Sequence, residues 1–192
     1  MDGVIQSPGS PEEDRRNNFE YGGWSALYWD AIMNQAMAKT TSQPYDLLLG
    51  RRTYEIFAAF WPNQAPNPTT ETFNIIQKFV VSNSTLDLTW KNSTLITGDV
   101  VGSLKELKNS EGPDLLVYGS SDFVQTLLKF DLIDVLQNWI FPLTLGTGQK
   151  MFESGTKSVN WKLLDAEVST TGVIIANYVP DGEVKTGQMD IQ

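Results

Sequence analysis

Asp114-Leu115-Leu116-Val117-Tyr118-Gly119-Ser120-Ser121-Asp122-Phe123-Val124-Gln125-Thr126-Leu127-Leu128 changes its period halfway along. Leu115 to Tyr118 is a short apolar run between Pro113 and Gly119, the pattern of a strand buried on both faces. Phe123, Val124, Leu127 and Leu128 then recur at helical spacing. Between them lies Gly119-Ser120-Ser121. A strand that turns through glycine and small hydroxyl residues into a helix leaves backbone N–H groups pointing outward at a partly positive helix start, which suits a phosphate. The alternative is a plain tight turn with Ser120 or Ser121 as the helix cap.

Tyr45-Asp46-Leu47-Leu48-Leu49-Gly50 is a second short strand ending in glycine, followed by Arg51-Arg52-Thr53-Tyr54-Glu55-Ile56-Phe57 with helical apolar spacing. Arginine suits bidentate phosphate contacts. Arg51 and Arg52 can also be read as solvated surface charges, but cations at a helix N-terminus oppose the macrodipole unless an anion arrives. Ligands of open α/β sheets bind at the carboxyl ends of the strands. Two such turns fit a ligand with separated phosphates, such as a dinucleotide.

The 192 residues suffice for one domain with a sizeable core, and 41% hydrophobic with 19% charged residues is the balance of a folded chain. A net charge of −9 argues against nucleic acid or an anionic membrane as partner. With no cysteine and no histidine, disulfides, thiolate chemistry, the usual zinc sites and catalytic triads drop out, and no metal is expected. No apolar stretch approaches the ~18 residues of a membrane span. The N-terminus lacks the charged and apolar regions of a signal peptide. A cytoplasmic protein is expected.

Val4-Ile5 closes a strand, and residues 6–24 form a long loop. Its Phe19, Tyr21 and Trp24 either pack over a ligand or close one end of the core. Ser25 to Lys39 is expected to be one helix, with Asp30 near its start and Trp29, Ile32, Met33, Ala36 and Met37 on its apolar face. Further expectations are a loop over 62–68, strands over 79–82 and 95–97, a helix over 103–109 and a strand over 135–141. A loop over 142–148 follows. A hairpin joins 161–169 to 173–179 through Thr170-Thr171-Gly172, and the tail over 181–192 frays. The whole reads as a single α/β domain over 1–192: a mixed, mostly parallel sheet flanked by helices, with a C-terminal antiparallel hairpin.

The order and spacing of Asp2-Gly3-Val4-Ile5, Gly50-Arg51-Arg52-Thr53-Tyr54-Glu55, Phe79-Val80-Val81-Ser82, Leu116-Val117-Tyr118-Gly119-Ser120-Ser121 and Pro142 through Gly148 to Phe152 resemble the dihydrofolate-reductase-like superfamily. The closer resemblance is to the reductase domain that forms the C-terminal half of the bifunctional riboflavin-biosynthesis deaminase/reductase. It implies an NADPH-dependent reductase passing hydride to a small heterocyclic substrate. The nearest named activity is 5-amino-6-(5-phosphoribosylamino)uracil reductase. Carried over, Arg51 meets the adenosine 2′-phosphate, while Gly50, Arg52 and Thr53 serve the diphosphate. Ser82 and Asn83 flank the adenosine. Gly119, Ser120 and Ser121 offer backbone N–H groups, with Phe123 and Val124 alongside. Asp30 stands near the acid that assists protonation. Trp24, Phe57, Leu145 and Gly146 line the substrate. The resemblance also implies a homodimer, and the β-rich edge of the terminal hairpin is a reason to expect one, with strand 135–141 close to the interface.

Two departures matter. The resemblance implies a central strand ahead of Asp2, and Met1 alone stands there, so most of that first strand is expected to be missing. Ala58 to Pro68 carries no charge, which argues against folate as substrate. The rival readings are a non-catalytic NADPH-binding or sensing domain, a structural dimerisation module and a dihydrofolate reductase proper.

Overall fold

The structure, a computed structural model, describes residues 1–189. The chain divides into two compact units, one formed by Met37–Thr126 and the other by Met1–Ala36 with the chain from Leu127 onward. The strands fall into two sheets, where the sequence suggested one mixed sheet.

In Met37–Thr126, strands β1 (Tyr45–Gly50), β2 (Lys78–Val81), β3 (Ser93–Ile96) and β4 (Asp114–Leu116) form a parallel sheet in the order β3-β2-β1-β4. Leu47 and Leu49 are fully buried and Leu48 nearly so, which is why β1 reads as an unbroken apolar run. Helix α2 (Arg51–Phe60) lays Tyr54 and Phe57 onto a core of Leu47, Leu49, Phe73, Val80 and Trp90. The loop expected over 62–68 ends early, because helix α3 (Pro68–Ile75) begins at Pro68. Asn67 and Thr70 form a capping box, and Pro68 occupies the first helical position, where a missing N–H costs nothing. Helix α4 (Val100–Asn109) starts three residues before the expected 103, capped by the Asp99 carboxylate on Gly102 N–H at 2.9 Å.

In the other unit, β5 (Leu136–Ile140), β6 (Trp161–Val168) and β7 (Ile174–Pro180) form an antiparallel sheet in the order β5-β7-β6. One face closes over Met33, Ala36, Phe141, Val173 and Ile175, with Trp24, Tyr28 and Trp139 packed on them. The single helix expected over 25–39 is interrupted. A 3-10 turn covers Ala26–Tyr28, Trp29 is extended, and helix α1 (Ala31–Thr40) begins after Asp30. Asp30 causes the break, since its Oδ1 accepts from Met33 N–H at 2.9 Å as a cap.

Val4 makes one isolated bridge, to Lys150, in place of the expected strand end. The loop over 6–24 is folded around Gln6, whose amide donates to the carbonyls of Asp14 and Arg16 and accepts from Gln149 N–H. Phe19 is buried, whereas Tyr21 is exposed. Of the tail expected to fray, Asp181 and Gly182 are held to Asn160 by backbone hydrogen bonds, and 183–189 carry no helix or strand. The remainder, 190–192, lies outside the described residues. Helix α5 (Ser121–Lys129) completes the elements.

Candidate functional site

The parallel sheet gathers its glycine turns at one end. β1 passes through Gly50 into α2, and β4 passes through Val117-Tyr118-Gly119-Ser120 into α5. These strands are neighbours, and Gly50 N–H donates to Gly119 C=O at 3.0 Å, so the two turns are joined directly. Both glycines are required by the geometry. A Cβ on Gly50 would collide with Ser120 Oγ and stand 2.9 Å from Phe123 Cβ. Gly119 has φ +127°, and a Cβ there would stand 3.0 Å from Thr53 Oγ1. The gap between Gly119 and the Thr53 hydroxyl is therefore only as wide as a glycine leaves it.

Arg51 and Arg52 open α2 at this end. Arg51 Nε donates to Glu55 Oε1 at 2.8 Å and its Nη1 to Ser84 Oγ at 2.6 Å, while an Arg52 terminal nitrogen lies 3.9 Å from Glu55 Oε2. The guanidinium of Arg51 is thus held across the end of β2. Ser82 follows β2, buried, its hydroxyl donating to Ser84 C=O and accepting Ser84 N–H. Asn83 beside it is exposed. Ser121 is buried at the start of α5, Phe123 is buried beneath the turn, and Val124 N–H donates to Ser120 C=O at 2.9 Å.

Eleven sequence-predicted residues, Gly50 to Thr53, Ser82, Asn83, Gly119 to Ser121, Phe123 and Val124, therefore belong to Met37–Thr126 and cluster where its strands end. Sequence reasoning missed Glu55 and Ser84. The spacing of Arg51 and Glu55, one helical turn apart, was the available signal. It also missed Thr97-Gly98-Asp99, a third strand-to-helix turn at the same sheet end, with Gly98 at φ +76°.

Phe57 lies in the parallel unit. It stacks on Phe73 with ring centroids 6.2 Å apart and meets Trp61 and Tyr118, as part of the parallel unit's core. In the antiparallel unit, Trp24 and Leu145 do come together, in a cleft of about 200 Å³ with Ile5, Trp139, Phe141 and Phe152. Trp24 and Phe141 meet edge to face at 4.9 Å. Asp2 shapes the rim, its Oδ2 accepting Gly146 N–H at 2.7 Å and Leu145 N–H at 2.9 Å. The Gly146 bond, more than the Leu145 bond, holds the Asp2 carboxyl below the usual range. Gly146 is thereby a rim residue fixed by its backbone.

Asp30 stands elsewhere in that unit. Besides capping α1, its Oδ2 accepts from both Thr170 N–H and Thr170 Oγ1 at 2.7 Å, tying the helix to the β6–β7 turn. The Met33 bond first, then the Thr170 hydroxyl, holds its carboxyl below the usual range. Among the described residues no group of three or more His, Cys, Asp or Glu is placed to hold a metal, and no helix is long and apolar enough to cross a membrane.

Comparison with known proteins agrees with this architecture. The model of the RibD C-terminal domain family matches residues 1–175. The uncharacterized protein YyaP of Bacillus subtilis is 23% identical over 136 residues, covering 69% of this chain and 72% of its own. A Shewanella sp. PV-4 protein, assigned provisionally by its name to riboflavin biosynthesis, superposes with a TM-score of 0.61 at 22% identity, covering 80% of this chain and 81% of its own. Dihydrofolate reductase from Enterococcus faecalis, complexed with NADP(H) and RAB-propyl, gives a TM-score of 0.53 at 18% identity, covering 80% and 84%. The fold is dihydrofolate-reductase-like, and the chain belongs to the RibD C-terminal domain family.

Proposed function

We propose that the chain is an NADPH-dependent reductase of small heterocyclic substrates. The observation that carries the reading is the junction of two glycine turns by the Gly50–Gly119 hydrogen bond, beside two arginines at the same helix start. Backbone N–H groups and the partly positive starts of α2 and α5 suit a diphosphate, and Arg51 is placed to meet a further phosphate on the same ligand. In this reading Gly50, Arg52, Thr53 and Gly119 to Ser121 hold the diphosphate, Arg51 takes the 2′-phosphate, and Ser82 and Asn83 flank the adenosine. Phe123 and Val124 support the turn from below. NADPH supplies the hydride. The protein supplies binding, orientation and exclusion of water, so a site without His or Cys is no obstacle.

The aromatic cleft of Trp24, Trp139 and Phe141, lined also by Leu145 and by Asp2, which Gly146 N–H holds, suits a flat ring. Asp30, which fixes the start of α1, is in this reading the acid that assists protonation. The reading places the enzyme in the cytoplasm and includes a homodimer.

Two measurements test it. Titration with NADPH should saturate, and a panel of small heterocycles should contain at least one that drives NADPH oxidation. Saturation without oxidation across the panel favours the sensing-domain reading, and absence of saturation removes both.

A further inference from the structure

Helix α2 opens with two arginines and carries no acid in its first turn, the reverse of what the helix dipole favours. Its single acid, Glu55, stands one turn further on and reaches back toward both. Glu55 Oε1 accepts from Arg51 Nε at 2.8 Å, and Oε2 lies 3.9 Å from Arg52 Nη1. As a device for stabilising the helix the pair is poorly ordered, since a base four residues ahead of an acid is the weaker arrangement. Both side chains are also partly exposed to solvent, where an ion pair contributes little to stability. What the carboxylate does supply is negative charge to both guanidiniums, as an incoming anion would.

The contacts on Arg51 divide by kind. Nη1 donates to the neutral Ser84 hydroxyl, and Nε to the charged Glu55. A guanidinium grips an anion through two parallel N–H groups, and the side-on grip uses Nε with Nη2. Glu55 therefore occupies one prong of that grip, while Ser84 holds the guanidinium from its other side without adding charge. We infer that Glu55 is an internal competitor of the cofactor's 2′-phosphate and sets how strongly the site prefers NADPH over NADH. A phosphate arriving at Arg51 displaces this carboxylate or binds against its charge. NADH has no phosphate at that position, so it leaves the Arg51–Glu55 pair undisturbed. The preference for NADPH is thereby held below what Arg51 alone would give. This rests on the proposed contact between Arg51 and the 2′-phosphate, and adds the residue that limits it.

Fluorescence titration of the whole chain with NADPH and with NADH tests it, in the unmodified protein, Glu55→Gln, Glu55→Ala, Arg51→Ala and the double variant R51A/E55Q. Glu55→Gln keeps the length of the side chain and an oxygen to accept from Arg51 Nε, and removes the charge. It should tighten NADPH roughly three- to fivefold and NADH by less than about twofold, the scale of one partly exposed ion pair. Glu55→Ala, which removes the acceptor as well, should show a gain of the same sign. The gain should shrink as salt is raised, because exposed charges are screened. It should vanish in the Arg51→Ala background. Circular dichroism checks that each variant keeps the fold. NADPH affinity unchanged or weakened by the Glu55 substitutions overturns the inference and leaves the 2′-phosphate contact standing. A gain that is equal for the two cofactors, or that persists without Arg51, overturns it as well. Equal affinities for NADPH and NADH in the unmodified protein overturn the 2′-phosphate contact and the inference together.

Discussion

Strands β1 and β6 belong to the same chain and are built for different surroundings. β1 buries five of its six residues, and β6 exposes seven of its eight. Strand β1 is therefore fixed from both faces, and what it holds at its end, Gly50, is positioned by core packing. Strand β6 is held along one edge only and adds little to the core of its own unit. The contrast suggests that the parallel sheet supplies the rigidity a nucleotide turn needs, while the antiparallel sheet spends a strand on a surface.

The sharpest way to break that comparison is at the turn itself. Gly119→Val places a branched side chain at φ +127°, toward the Thr53 hydroxyl, and should abolish NADPH binding, a loss of roughly a hundredfold or more. A folded variant with unchanged affinity would show that the backbone there does not approach the ligand. Next in size is a pair of truncations. Leu49→Ala, in the fully buried β1, should cost about 2–5 kcal/mol in chemical denaturation, whereas Leu164→Ala, on exposed β6, should stay within about 0.5 kcal/mol in the monomer. Similar losses at both sites would erase the distinction between the two sheets.

Arg51→Ala should narrow the preference for NADPH over NADH by ten- to hundredfold, the loss of a charge-assisted contact worth about 1.5–3 kcal/mol. Equal affinities in the unmodified chain would contradict the 2′-phosphate assignment.

A pH dependence should also differ between the units. Lys78 in β2 is fully buried, its Nζ donating to the carbonyls of Ile76 and Lys91 and lying 4.4 Å from the Trp90 ring centroid. Desolvation lowers its pKa to about 8, against the partial opposition of Asp46. Between that value and the ordinary 10.5 the unfolded chain binds more protons at this position than the folded one, so this contribution to stability rises with pH across that window. Lys78→Met should flatten the rise in urea midpoints. Asp30 in the other unit works in the opposite range, since its depressed pKa contributes stability above the usual carboxylate value that is lost as pH falls through the folded value. Asp30→Asn should remove that acid-side loss.

Much of the parallel unit was legible because its signals are local. In β1 and again in β4, the apolar run, the glycine that ends it and the helical spacing that follows are contiguous in sequence. Helix α3 was hidden by its own first residue, since Pro68 reads as a loop until its place after Asn67 is recognised as a helix start. The break before α1 comes from the Asp30 cap on Met33, and the clamp of the same carboxylate onto Thr170, 140 residues away, has no local pattern to announce it. Phe57 packs on Phe73 and Trp61, contacts set by residues from the following elements that no local pattern displays. The β6–β7 hairpin was legible from its glycine turn, but the separation of the strands into two sheets was not, since strand order is set by long-range pairing.

The central claim is that the joined turns of the parallel unit hold the nucleotide, and hydrogen–deuterium exchange with and without NADPH tests it most directly. The account predicts that NADPH slows exchange at 50–53, 82–84 and 119–124, with NADH protecting the same segments more weakly. Protection confined to other segments, or none at saturating NADPH, would contradict it.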